Sequence, residues 1–99
     1  LPEGRLGVFT PLPAQIEQTT LKWQRPNWEL TVVPLIPSAT GGDVIDSAAE
    51  QMVRAKPDLI ALDCMGYTQK LKERIRTLTG IRTVLAVSLA ARAVQELID

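Results

Sequence analysis

The run "DLIALDC", residues 58–64, is apolar through its whole middle. A strand with one wet face alternates apolar and polar residues, whereas a strand covered on both faces has no need to. The run therefore predicts a central strand of a parallel sheet. Parallel neighbours cannot be joined by tight hairpins, so the chain must supply a crossover, usually a helix, between successive strands.

It does so throughout. "RLGVFT" at 5–10 is a short β-rich run that stops at "PLP", and Leu12, Ile16, Thr19 or Thr20 and Trp23 then recur at helical spacing. Pro13 suits a first helical position, and Pro26 cannot continue the helix, so its end is expected near Arg25. "WELTVV" at 28–33 reads as a second strand with a less protected edge, followed by the loop "PLIPSATGGD". Val44, Ile45, Ala48, Ala49, Met52 and Val53 form one helical stripe opposite Asp46, Glu50 and Arg54, ending before Pro57. After the central strand, Leu71, Ile75 and Leu78 mark a third helix that Gly80 closes in a left-handed turn. "RTVLAVSL" is the fourth strand, and Ala91, Val94, Leu97 and Ile98 mark a last helix. The fold class is thus α/β: one domain over residues 1–99, a four-stranded parallel sheet in the flavodoxin-like order 2-1-3-4, and helices on both faces. An apolar fourth strand at the edge invites cover by a partner domain or another copy of the chain.

Charge and rare residues narrow the function. Lys plus Arg balance Asp plus Glu at 11 each, which leaves no field to gather nucleic acid or an anionic membrane. With one cysteine and no histidine, neither an internal disulfide nor a conventional zinc site can form, and a reducing, cytoplasmic setting is expected. "ATGGD" lacks the spacing of a phosphate loop or a dinucleotide fingerprint, so no cofactor is expected. No run has the basic start and apolar centre of a signal peptide or the length of a membrane span. The chain begins without methionine and close to a strand, so it is expected to be a piece of a longer protein.

In open parallel sheets, ligands bind beyond the carboxyl ends of the strands. The loops to examine are "TPLPAQ", "PLIPSATGGD", "CMGYT" and "SLAA". Cys64 opens the third, ahead of a helix whose free N–H groups favour negative charge, a thiolate included. A lone cysteine at the end of an apolar strand is also commonly an inert small hydrophobe, so both readings stand. Thr68 is positioned to cap the helix and Gly66 to let backbone approach a ligand, or both are ordinary turn residues. Ser88 has the same two readings, Tyr67 can simply cover the sheet edge, and Asp63 can either anchor the loop or oppose a thiolate.

The blocks "GRLGVFTPLPAQIEQ", "LKW", "PDLIALDCMGYTQKL" and "TGIRTVLAVSLAARAVQEL", in this order, resemble the C-terminal half of the AroM family over essentially the whole chain. That family is in turn distantly similar to the aspartate/glutamate racemase superfamily. There, two similar α/β lobes face each other, and each contributes a cysteine or a substitute to a carboxylate site between them. The resemblance implies that Cys64 matches the second-lobe cysteine of a G-C-T-H-[YF] block, with Asp63, Met65 and Gly66 standing where that block has Gly, Thr and His.

Three expectations follow from residues and resemblance together. The first is a racemase- or isomerase-like lobe acting on a small carboxylate, with Cys64 catalytic and Gly66, Tyr67, Thr68, Thr10 and Ser88 as the pocket wall. Its partners would be that carboxylate and either a missing N-terminal lobe or a homo-oligomer mate, with no nucleic acid and no membrane. The second is a non-catalytic small-ligand-binding or regulatory domain that kept the fold, which the missing histidine favours. The third is a stand-alone flavodoxin-like interaction module.

Overall fold

The computed structural model describes residues 3–38 and 41–86. Four parallel strands, β1 (Gly4–Thr10), β2 (Trp28–Pro34), β3 (Leu59–Leu62) and β4 (Thr83–Leu85), form one sheet in the order β2-β1-β3-β4. Three helices join them: α1 (Ile16–Trp23), α2 (Gly42–Ala55) and α3 (Gln69–Thr79). The predicted fold class and strand order hold. The last predicted helix, the end of the predicted fourth strand and Ser88 lie outside the described residues.

The sheet sorts its side chains by the two-residue period of a strand. Phe9, Val33, Ile60 and Leu62 turn to one face and join Ile45, Ala48, Ala49 and Met52 of α2 with Leu71 and Ile75 of α3. Leu6, Val8, Trp28 and Ala61 turn to the other and meet Trp23 of α1. Each face therefore has its own core, and β3 is buried on both sides, as its unbroken apolar run requires: Ile60, Ala61 and Leu62 are each 0 % exposed. β3 is shorter than the apolar run, because Asp63 and Cys64 already belong to the loop.

Two helix boundaries move from their expected places for local reasons. Residues Pro13–Gln15 form a 3-10 turn with Pro13 at its start, so the α-helix begins only at Ile16. It ends at Trp23 rather than near Arg25, with Gln24 already extended. Pro26 disfavours helical geometry at the residue before it, and Asn27 turns the chain at a φ of 68° into β2. On α2 the buried stripe is narrower than the sequence suggests. Ile45, Ala48, Ala49 and Met52 are covered, while Val44 and Val53 at its margins are 52 % and 41 % exposed. Gly80 ends α3 at a φ of 70°, the predicted left-handed closure.

Candidate functional site at the carboxyl ends of β1 and β3

Parallel strands end at one edge, and their loops diverge there. Leu35 N–H donates to Thr10 O at 2.8 Å and Asp63 N–H to Phe9 O at 3.0 Å, so the loops after β2, β1 and β3 all leave the sheet at one level. On the α1 side of this edge lies an open pocket of about 280 Å³, lined by Thr10, Pro11, Gln15, Gln18, Thr19, Lys22, Asp63 and Cys64. Its size is near the lower end of small-molecule sites, roughly 300 Å³.

Each wall has a local cause. Thr10 is the last residue of β1, and its Oγ1 lies 2.9 Å from Thr19 Oγ1 on α1. Both residues are buried, at 1 % and 6 % exposure, so the paired hydroxyls satisfy each other where water is scarce. Asp63 follows β3 directly. Its carboxylate accepts the Trp23 indole N–H at 2.9 Å and Lys22 Nζ at 3.0 and 3.3 Å. These three residues join the end of β3 to the last turn of α1. The Asp63 carboxylate therefore points to α1, the anchoring role of the two it was given from sequence.

Cys64 is half-buried and free of any disulfide. It packs against the α2–α3 core while its side chain also reaches the pocket wall. Gly66 N–H donates to its sulfur at 3.3 Å, and Tyr67 N–H donates to its carbonyl at 3.2 Å, so the loop curls tightly around the residue. A Cβ on Gly66 would sit 3.1 Å from Pro37 Cβ, which shows how closely the loops after β2 and β3 abut.

The other predicted wall residues have occupations of their own. Thr68 is the N-cap of α3, its hydroxyl accepting Leu71 N–H at 3.1 Å. Tyr67 is 5 % exposed and donates its hydroxyl to Leu35 O at 2.6 Å, which ties the Cys64 loop to the loop after β2. Burial first, then the charges of Cys64 and Asp63, push the Tyr67 phenol well above its ordinary range. The structure thus brings Thr10 and Cys64 together at one pocket and sets Gly66, Tyr67 and Thr68 beside it rather than on its lining.

Six lining residues escaped the sequence reading as ligand contacts: Pro11, Gln15, Gln18, Thr19, Lys22 and Asp63. Gln15 Oε1 is buried without a hydrogen-bond partner among the described residues, an acceptor left over at the pocket wall. The one available signal was Lys22, a cation next to the buried Trp23 near the end of a helix whose neighbouring loops converge on Cys64.

A protein-family model described as AroM protein matches residues 1–98 of the chain. No curated protein and no solved structure matches it.

Proposed function

The chain belongs to the AroM family, and on that premise we propose that it is one lobe of a racemase- or isomerase-like enzyme. The enzyme acts on a small carboxylate, and Cys64 serves as its acid/base or nucleophile. One observation carries the reading: the only thiol of the chain lies on the wall of an open polar pocket at the carboxyl ends of β1 and β3, where parallel α/β sheets take their ligands.

Moving a proton on or off a carbon beside a carboxylate needs groups within hydrogen-bond reach in a site closed to water. This pocket is open, so a second wall has to come from elsewhere. Leu12, Ile36 and Met65, one in each of the loops after β1, β2 and β3, are 49 %, 51 % and 82 % exposed. Their apolar side chains around a polar pocket suit a facing lobe of the same protein, which would cover them and complete the site. A second copy of the chain is the other candidate for that role.

The test is turnover. A full-length protein carrying this lobe is assayed for racemisation or isomerisation of small carboxylates, beside its Cys64→Ser variant and the 99-residue chain alone. The reading expects activity in the full-length protein, its loss on Cys64→Ser, and none in the isolated chain. A full-length enzyme indifferent to Cys64→Ser would leave a ligand-binding domain in its place.

A further inference from the structure

We infer that Lys22 is the carboxylate-binding group of this pocket, with Asp63 and Trp23 as the residues that position it. The inference rests on the functional reading above and moves substrate recognition from the α3 side of Cys64 to α1.

Three donors on the α3 side have partners of their own. Gly66 N–H is taken by the Cys64 sulfur, Leu71 N–H by the Thr68 hydroxyl and the Tyr67 hydroxyl by Leu35 O. Across the pocket, Lys22 is the one cation among the described residues of the lining. Its ammonium is held by Asp63, which is itself fixed by the buried Trp23 indole. Exposure separates the two charges: the Lys22 side chain is 48 % exposed and that of Asp63 only 13 %. A ligand entering the pocket therefore meets the ammonium, with the carboxylate withdrawn behind it. An ammonium has three N–H donors, and Asp63 engages at most two of them. The remaining donor, with the side-chain amide of Gln18 on the same wall, suits a carboxylate whose neighbouring carbon reaches toward Cys64.

Two alkylating reagents of nearly equal size test this without knowledge of the substrate. Iodoacetate carries a carboxylate and iodoacetamide does not. In both, the Cys64 sulfur displaces iodide and forms a carbon–sulfur bond. The ratio of the two rates reports anion attraction at the pocket and cancels changes in thiol exposure. Lys22→Gln should lower the iodoacetate-to-iodoacetamide ratio about tenfold, the low end of electrostatic focusing in clefts. Lys22→Arg should largely keep the ratio. Asp63→Asn, which unmasks the ammonium, should raise it, and high salt should shrink all of these differences. Circular dichroism of each variant establishes that it is folded, and the Asp63→Asn arm stands by itself if Lys22→Gln is not. An unchanged ratio in the folded variants overturns the role of Lys22 alone, while a thiol inert to both reagents overturns the functional reading beneath it as well.

Discussion

The Trp23 indole donates to Asp63 Oδ2 at 2.9 Å across 40 positions of sequence, which fastens the last turn of α1 to the residue that follows β3. Trp23 is 1 % exposed and fills the core on the α1 face of the sheet. Trp23→Phe removes the donor from a carboxylate that is largely withdrawn from water. Urea unfolding should show a loss of about 1.5–3 kcal/mol for the hydrogen bond to a charged group, plus the cost of the smaller ring. Asp63→Asn keeps an acceptor for the indole and gives up only an ion pair whose lysine end is half-exposed, so it should cost about 0–1 kcal/mol. The reverse ranking of these two variants would contradict the geometry.

Tyr67 is the only tyrosine of the chain, so its titration can be followed by absorbance. With the phenol's pKa raised by burial and by the nearby Cys64 and Asp63, the folded protein should show no tyrosinate at a pH where a free tyrosine, with a pKa of about 10, is half ionised. Below that value both states keep the proton and the contribution of the buried hydroxyl is fully present. Above it the unfolded chain ionises first, so stability should fall as pH rises toward the folded value. Tyr67→Phe should lack this part of the pH dependence. At neutral pH it should lose about 1–3 kcal/mol by leaving Leu35 O without its 2.6 Å partner.

Gly7 lies on β1 under α2, where a Cβ would run into Met52 Sδ and come within 3.2 Å of Pro57 Cγ. Met52 is 0 % exposed, so its side chain cannot swing out to solvent without moving its neighbours. Gly7→Ala should therefore destabilise by about 1–3 kcal/mol through overpacking, although alanine suits a strand better than glycine does. Thermal unfolding followed by circular dichroism reads this directly, and a variant as stable as the parent would show that α2 lifts away at little cost.

Much of the architecture was legible in the sequence because it follows from local periodicity. The unbroken apolar run ending at Leu62 marked a strand buried on both faces, and Ile45, Ala48, Ala49 and Met52 marked the inner face of a helix. Gly80 marked a left-handed stop. The site was legible only in part. Strand ends pointed to Thr10 and Cys64, but periodicity says which residues of a helix are buried, not where its exposed margin meets a neighbouring loop. Lys22, Gln15 and Gln18 reach the pocket because the 3-10 turn at Pro13–Gln15 sets where α1 starts. The Trp23–Asp63 hydrogen bond then fixes the helix end against β3. Neither event has a local sequence pattern of its own.

The most direct measurement of the central claim, that Cys64 is a pocket thiol, is its rate of alkylation by iodoacetamide in the folded chain and in the same chain unfolded in urea, followed by intact mass. A half-buried sulfur on the wall of an open pocket should react completely while the protein remains folded, at a rate set by reagent concentration and within about a hundredfold of the unfolded chain. A thiol that stays unmodified until the chain unfolds, with a rate that follows unfolding instead of reagent concentration, would contradict the account and return Cys64 to the core.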